Sequence, residues 1–155
     1  MYVQIISRIL NIPNRIFMKP KITGIGGIFF KAQEPEKLQQ WYAKHLGLIL
    51  NDYGATFEMR HPKIPDKIKY IHWSLFSNDT EYFEPSAKPF MINYRVQHLE
   101  KLVEKLTTIG IEFIDSITSY PYGKFIHLLD PEGNAIELWE PEESFFDTLK
   151  IPTNK

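Results

Sequence analysis

Short runs rich in apolar residues recur along the chain, and they predict a protein rich in β-strands. These runs fall into two groups, which a polar stretch separates. Pro62 and Pro65 predict a loop at residues 61–67, because proline cannot donate to a β-ladder. The predicted strands lie at residues 25–32, 48–51, 55–60, 68–76, 90–96, 111–117, 124–129 and 135–139.

Two stretches instead repeat their apolar residues every three or four positions, which is the period of a helix with one buried face. Residues 35–45 begin at a proline and are followed by Gly47, and residues 98–109 are followed by Gly110. Proline suits the first turn of a helix and glycine suits its end, so both stretches are predicted to be helices. Their apolar positions are Leu38, Trp41, Tyr42 and His45 in the first helix and Leu99, Leu102, Val103 and Leu106 in the second.

The two groups of elements follow the same order, which is one strand, one helix and three strands. Glu36-Lys37-Leu38 lies in the first helix, and Glu100-Lys101-Leu102 lies at the corresponding place in the second. The shared tripeptide and the shared order indicate that a βαβββ module has been duplicated. Alignment on this repeat pairs Gly27 with Met91, Phe29 with Asn93, and Lys31 with Arg95.

Polar and proline-containing stretches suggest where the modules begin and end. We expect an N-terminal extension at residues 1–20, a single domain at 21–141 and a C-terminal tail at 142–155. Within the domain, residues 77–89 are predicted to connect one module at about 22–76 to the other at about 90–141. The extension has basic residues and no acid, which leaves a weak organelle-targeting signal as the alternative to a plain extension.

The composition is that of an ordinary globular protein. Of 155 residues, 43% are hydrophobic and 24% are charged, and the formal net charge is -1. A nearly neutral chain without a basic stripe predicts neither a nucleic acid nor a membrane surface as its partner. The sequence has no cysteine, which excludes disulfides and thiolate metal sites and suits a cytoplasmic protein.

The closing stretch from Asp130-Pro131-Glu132-Gly133-Asn134 to Glu137-Leu138 carries the most specific family resemblance. Together with Gly27-Ile28-Phe29-Phe30-Lys31 and His45-Leu46-Gly47-Leu48, it resembles the vicinal oxygen chelate superfamily of glyoxalases, bleomycin-resistance proteins and extradiol dioxygenases. The resemblance runs from about residue 22 to residue 141 and points to a glyoxalase-like subgroup. It implies an α+β fold in which two βαβββ modules form an eight-stranded, partly closed mixed sheet with a concave cleft.

Metal-dependent members of the superfamily hold a divalent ion with one ligand from the first and last strand of each module. Here the first-strand positions fall on Gly27 and Met91, and neither residue is a suitable ligand. The last-strand position of the first module falls near Ile71 or Trp73, so the neighbouring His72 is expected to point to the opposite face unless a β-bulge brings it into the cleft. We therefore expect no cofactor. A divalent metal, as the alternative, would use Glu137, His72 and His127.

Glu137 occupies the last-strand position of the second module and is the candidate catalytic residue. The resemblance places its carboxylate in the cleft as a base or ligand anchor, and a solvated outer face is the alternative. Lys31 and Arg95 share the face of Gly27, and they favour an anionic ligand unless their head groups extend to solvent. The predicted ligand-binding residues are Phe29, Lys31, Trp73, Asn93, Arg95, Tyr122, Lys124 and Trp139.

Two functions remain open at this point. The first is a glyoxalase-like lyase or isomerase that acts on a small oxygenated molecule without the usual complete metal site. The second is a non-catalytic protein that binds or sequesters a small molecule, as bleomycin-resistance relatives do. In both cases the expected partner is a small-molecule ligand, and a homodimer is an open alternative to a monomer.

Overall fold

The computed structural model describes residues 19–155, so most of the predicted N-terminal extension lies outside the described residues. The described chain forms one eight-stranded mixed sheet in the order β2-β3-β4-β1-β5-β8-β7-β6, whose two edge strands do not pair with each other. The elements are β1 Lys21–Ala32, α1 Pro35–Leu46, β2 Leu50–Asn51, β3 Gly54–His61, β4 Ile64–Ser77, β5 Phe90–Gln97, α2 Leu99–Thr108, β6 Thr118–Tyr120, β7 Gly123–Leu129, β8 Ala135–Pro141 and α3 Glu143–Asp147.

The two halves of the sheet have the same topology. β1 pairs in parallel with β4, and β5 pairs in parallel with β8. β1 and β5 then pair antiparallel at the centre, which joins the two halves. Each half therefore presents one strand, one helix and three strands in the same spatial order, and the prediction of two βαβββ modules in an eight-stranded mixed sheet is confirmed.

Both predicted helices form, and their packing determines which face of the sheet remains for a ligand. Pro35 lies in the first turn of α1, and Gly47 ends that helix with φ 70°. α2 buries Leu99 and Leu102 against Ile126, Leu128 and Leu138 of the sheet. Full burial of one leucine side chain contributes about 1.5 to 3 kcal/mol. Because side chains alternate along a strand, the neighbours of these residues, such as Glu137, point to the opposite, concave face.

Two sequence-based assignments are wrong. Residues 111–117 were expected to form a strand, but they lie outside the strands, and the short β6 occupies the sheet edge instead. The side chain of Asp115 accepts a hydrogen bond from the backbone N–H of His127, so the segment docks on β7 without a regular ladder. Residues 61–67 were expected to form a loop, but β4 begins at Ile64, and Pro65 lies in a bulge between two pairs of the ladder.

The connection between the modules and the C-terminal tail both pack against the concave side. Phe83 of the connection is buried with Met91 and Ala135. The tail crosses to the opposite edge of the sheet, where Asn154 forms a parallel bridge with Phe57. Within residues 19–155, no helix has the length and apolar character needed to cross a membrane.

Candidate functional site

Six residues from six adjacent strands lie side by side across the concave face. The register of the sheet makes each one the direct neighbour of the next. Because adjacent strands lie about 4.8 Å apart, the row brings distant parts of the sequence together. We call this set the polar row, since five of its six members carry polar side chains. It consists of Thr56, His72, Gly27, Asn93, Glu137 and His127.

Glu137 is the most highly connected residue of the polar row. Its side chain is buried, with only 2% of the residue exposed. Asn93 Nδ2 donates to Oε1 over 2.6 Å, and Tyr82 Oη donates to Oε2 over 2.6 Å. His127 Nε2 lies 2.7 Å from the same Oε2. A buried carboxylate needs such donors because it has lost its hydration, and three donors compensate for that loss.

His127 lies between two carboxylates. Its Nε2 contacts Glu137, and its Nδ1 lies 2.6 Å from Asp115 Oδ2. An ionised carboxylate can only accept hydrogen bonds, so the two contacts together favour a ring that carries both protons. Burial lowers the pKa of His127, but the hydrogen bonds and charges of Glu137 and Asp115 outweigh burial and raise it. The geometry therefore favours an imidazolium at this end of the row.

Tyr82 reaches Glu137 from the connection between the two modules. Its ring stacks on Phe76 with centroids 5.4 Å apart, and it meets the ring of His127 edge-on at 5.5 Å. Burial and the neighbouring carboxylate of Glu137 raise the pKa of Tyr82, so its hydroxyl remains a hydrogen-bond donor. The carboxylate of Glu137 therefore already accepts a hydrogen bond from one phenol group, the side chain of Tyr82.

His72 lies at the other end of the row in a different environment. Its Nδ1 is 3.4 Å from the hydroxyl of Thr56, which is fully buried. Asn51 Nδ2 donates to that same hydroxyl over 3.0 Å. Burial, and then the charge of Arg95, lower the pKa of His72 to about 4. The ring of His72 is therefore neutral at neutral pH.

A cavity of about 580 Å³ lies over three members of the polar row, His72, Asn93 and Glu137. Its walls are mostly aromatic, and His72, Asn93 and Glu137 provide polar groups on its floor. An apolar cavity with a few converging polar groups is the usual form of a small-molecule site. The remaining lining residues are Phe29, Tyr53, Ser74, Leu75, Phe76, Tyr82, Tyr122, Phe125, Trp139, Phe145, Phe146, Leu149 and Ile151.

Four of the predicted ligand-binding residues line this cavity, namely Phe29, Asn93, Tyr122 and Trp139. Lys31 and Arg95, on which the expectation of an anionic ligand rests, do not line it. The guanidinium of Arg95 lies 4.9 Å from the ring centroid of Trp139, and Nη2 donates to the carbonyl of Tyr70. Lys31 Nζ lies over the ring of Phe83 at 5.7 Å. Aromatic rings and a carbonyl are therefore the neighbours of these head groups.

Trp73 and Lys124 lie on the other face of the sheet. The ring of Trp73 packs edge-on against Tyr42 of α1, and Lys124 forms an ion pair with Glu100 of α2. The expectation that His72 points away from the cleft is also wrong. His72 and Trp73 are consecutive in β4, and the structure places His72 on the cavity face and Trp73 on the helix-covered face. The alignment of β4 was one residue out of register, and such a shift moves every side chain to the opposite face.

Of the four strand positions that the superfamily uses for a metal, the two on the last strands carry His72 and Glu137, whereas the two on the first strands carry neither a histidine nor a carboxylate. Gly27 has no side chain, and Met91 is buried in a hydrophobic cluster. Asn93, rather than Met91, lies beside Glu137 in the sheet. Glu137 and His127 are hydrogen-bonded to each other, and no group of three or more His, Cys, Asp or Glu side chains within residues 19–155 is arranged to hold a metal.

Sequence reasoning missed three contributors to the site. Tyr82 lies in a polar connection without periodicity, and Asp115 lies in a segment that was expected to be a strand. The C-terminal tail adds Phe145, Phe146 and Leu149 to the cavity wall. The apolar residues of the tail were the one feature of the sequence that could have indicated its contact with the cavity, because a solvent-exposed tail is usually polar.

A family model for the Glyoxalase/Bleomycin resistance protein/Dioxygenase superfamily matches residues 24–138, and the chain belongs to that superfamily. The match includes the polar row and the connection that carries Tyr82, but it ends before the C-terminal tail. No curated protein matches the chain in sequence.

Solved structures of the superfamily share the fold at low sequence identity. Methylmalonyl-CoA epimerase from Mycobacterium tuberculosis is 17% identical, with 82% of this chain and 93% of that chain covered and a TM-score of 0.53. A variant of the Streptomyces coelicolor methylmalonyl-CoA epimerase, in complex with 2-nitronate-propionyl-CoA, is 11% identical, with 85% and 100% covered and a TM-score of 0.58. A catechol 2,3-dioxygenase is 21% identical, with 78% and 41% covered and a TM-score of 0.50. At these identities the similarity shows the fold alone.

Proposed function

We propose that the cavity binds a small, oxygenated and largely aromatic molecule, and that Glu137 is the residue that contacts its polar group. One observation carries this proposal. Glu137 is a buried carboxylate with three hydrogen-bond donors on the floor of an aromatic cavity. A carboxylate held in this way is oriented in advance, so little ordering is needed when a ligand arrives.

The proposal includes a glyoxalase-like reaction, a lyase or isomerase step in which Glu137 accepts a proton from the ligand. Tyr82 comes from the connection between the modules rather than from the sheet, so it is the donor that a ligand can most readily replace. Replacement would place a ligand O–H or C–H group next to Oε2. Glu137 could therefore accept a proton from the ligand in a reaction that uses no metal.

A non-catalytic binding protein is the second candidate, and the same hydrogen bonds favour it. Each donor to Glu137 occupies a lone pair of the carboxylate, which leaves fewer lone pairs to take a proton from a ligand. The His127 and Asn93 donors lie on the sheet itself and are fixed by its register. On this alternative, Glu137 orients the ligand by accepting a hydrogen bond and takes no proton.

The preferred ligand of this proposal is neutral. Lys31 and Arg95 contact protein groups elsewhere, while the cavity wall is aromatic. We further propose a cytoplasmic protein, either a monomer or a homodimer, and size-exclusion chromatography with light scattering distinguishes the two oligomeric states.

The substitution Glu137→Gln tests the proposal. Gln has nearly the same shape, but its amide nitrogen must face one of the donors that now bind the carboxylate, so we expect an intact fold and at least a tenfold loss of ligand affinity. Affinity is measured by ligand-observed NMR with phenol, benzaldehyde and 4-hydroxyacetophenone. Glu100→Gln, in α2 on the helix-covered side of the sheet, is the matched control and should bind these probes with the affinity of the wild type. Equal binding by both variants would contradict the role of Glu137.

Catalysis and binding are separated by a second measurement on the same samples. The probe is 1,4-diacetylbenzene, whose methyl protons lie next to a carbonyl at each end, so that an acetyl group can lie beside Glu137 and an enzyme base there can exchange its protons with solvent. Exchange in D2O that the wild type accelerates and Glu137→Gln does not would support the enzyme. Binding without accelerated exchange would support the non-catalytic alternative.

A further inference from the structure

The polar row presents two different groups to the cavity, one at His72 and one at Glu137. His72 lies on β4 and Glu137 on β8, with Gly27 and Asn93 between them in the register. Three strand spacings separate the two ends, which corresponds to about 14 Å between their Cα atoms along the sheet. Gly27 has no side chain, and the ring of Phe29 lies over it, so a ligand that reaches both ends lies against that ring.

One contact of His72 favours the tautomer that carries the proton on Nε2. The amide of Asn51 donates to Thr56 Oγ1, which leaves the hydroxyl proton of Thr56 available for an acceptor. The nearest one is His72 Nδ1 at 3.4 Å. A neutral ring that accepts at Nδ1 must carry its proton on Nε2. Within residues 19–155, no protein group forms a hydrogen bond with Nε2, and His72 lines the cavity.

The residues around the row suit a flat molecule. The ring of Phe29 lies over Gly27, and Trp139, which also lines the cavity, is stacked on Phe125 with ring centroids 5.9 Å apart. At the Glu137 end, the hydroxyl of Tyr82 already shows that an aromatic hydroxyl fits against the carboxylate. The His72 end offers the complementary group, a neutral donor.

We propose that His72 is a ligand-binding residue whose Nε2–H donates to a carbonyl-type oxygen of a small planar aromatic molecule, while a hydroxyl at the opposite end of that molecule donates to Glu137. This inference rests on the proposed function and specifies its ligand class. Burial and Arg95, which keep the pKa of His72 low, support it because the ring then remains neutral over the physiological range. The site thus selects a molecule with an acceptor at one end and a donor at the other.

Three probes that differ in one group each test this selection. They are 4-hydroxyacetophenone, which has both groups; 4-methylphenol, which lacks the carbonyl; and 4-methoxyacetophenone, which lacks the hydroxyl donor. We expect 4-hydroxyacetophenone to bind about tenfold more tightly than either of the others, since one hydrogen bond is worth about 1.4 kcal/mol here. The dissociation constants are measured by NMR titration.

Two variants then assign each end of the probe to its residue. In His72→Leu, the preference for 4-hydroxyacetophenone over 4-methylphenol should disappear, while its preference over 4-methoxyacetophenone remains. In Glu137→Gln, the preference over 4-methoxyacetophenone should disappear. His45→Leu, the same change on the exposed part of α1, is the control and should leave both preferences intact. His72→Gln, which retains a side-chain N–H, should retain part of the carbonyl preference.

The tautomer of His72 is tested in the unmodified protein. Nitrogen-15 NMR distinguishes a protonated ring nitrogen from an unprotonated one, and the proposal requires the proton on Nε2. A proton on Nδ1 would overturn it, as would a carbonyl preference that His72→Leu leaves unchanged. Binding of all three probes with equal affinity would overturn this inference while the proposed function stands. If none of the probes binds, both are wrong.

Discussion

His72 and His127 lie at opposite sides of the same row, on the same face of the same sheet, yet their environments favour opposite charge states. His127 contacts two carboxylates, and these raise its pKa despite its burial. His72 has a hydroxyl and aromatic rings as neighbours, and burial and Arg95 lower its pKa to about 4. The difference shows that the position of a histidine in this fold does not determine its charge. Its nearest charged neighbours do.

The two ends of the polar row therefore differ in the charge that they place in the site. The His127 end concentrates charge, because Asp115, His127 and Glu137 form a continuous series of hydrogen bonds. The His72 end is uncharged apart from Arg95, which is covered by Trp139. A ligand that spans the row therefore meets a carboxylate at one end and a neutral donor at the other.

The largest expected effect comes from breaking the charged end. Glu137→Leu leaves the donors Tyr82, Asn93 and His127 without their acceptor in a buried site, and removal of one partner of a buried charge pair costs about 3 to 5 kcal/mol. Urea unfolding at pH 7 measures this loss. Glu100→Leu removes a carboxylate from an exposed ion pair with Lys124 and should cost less than about 1 kcal/mol. Similar losses in the two variants would show that the hydrogen bonds of Glu137 do not stabilise the fold.

The second prediction concerns the neutral end in acid. The folded-state pKa of His72 lies near 4 and its ordinary value is 6.5, so the unfolded chain binds a proton that the folded chain resists. Stability that is fully present above pH 6.5 is then lost as the pH falls towards 4, by about 3 kcal/mol at most. His72→Gln cannot titrate and should show a shallower loss over this range.

The measurement is urea unfolding of the wild type and His72→Gln at several pH values between 7 and 4. The difference between the two curves isolates His72, because the carboxylates titrate in both proteins. Parallel curves would mean that His72 is protonated normally and that the contrast with His127 does not exist.

The fold was predictable from the sequence to a greater extent than the row was. Helix periods, the proline at the start of α1 and the repeat around Glu100 are local signals, and the structure follows them. The polar row depends on how six strands align with one another. The sequence indicates that alignment only through the alternation of apolar and polar residues along each strand. In β4, Ile71, His72 and Trp73 are all compatible with a buried strand, so alternation did not determine which of them faces the cavity.

The remaining parts of the site come from irregular segments. Tyr82 and Asp115 each reach the row from outside the regular strands, and neither has a periodic pattern that would reveal its direction. Their contacts depend on how the connection and the segment before β6 close over the sheet. Glu137 could be singled out only because the closing stretch of the chain resembles a known superfamily.

A third prediction tests whether Asp115 keeps His127 charged. In Asp115→Asn, the amide can donate to Nδ1, so the ring no longer needs its second proton and the pKa of His127 should fall. Because a raised folded-state pKa stabilises the protein below pH 6.5, that stability is lost in the wild type as the pH rises through the folded-state pKa. The variant should be less stable at pH 6 by about 1 to 2 kcal/mol, a value reduced because the side chain of Asp115 is 42% exposed.

Melting curves at pH 6 and pH 9, together with NMR titration of His127, check this prediction. The difference in stability between the wild type and Asp115→Asn should shrink at pH 9. Asp130→Asn, in the turn before β8, is a control that does not contact His127. An unchanged pKa of His127 in Asp115→Asn would show that Glu137 alone maintains the charge.

The smallest expected effect separates the charge of His72 from its tautomer. Thr56→Val keeps the shape of the buried side chain but removes the hydroxyl that directs Nδ1, at a cost of about 1 kcal/mol. The pKa of His72 should stay low, because burial and Arg95 cause the shift and both remain. The proton should, however, no longer be confined to Nε2, and the affinity for 4-hydroxyacetophenone should fall severalfold while that for 4-methylphenol is unchanged. Thr118→Val, in the exposed edge strand β6, is the matched control for the nitrogen-15 and affinity measurements. If the pKa of His72 instead returned to its ordinary value, the Thr56 hydrogen bond rather than burial would be what distinguishes His72 from His127.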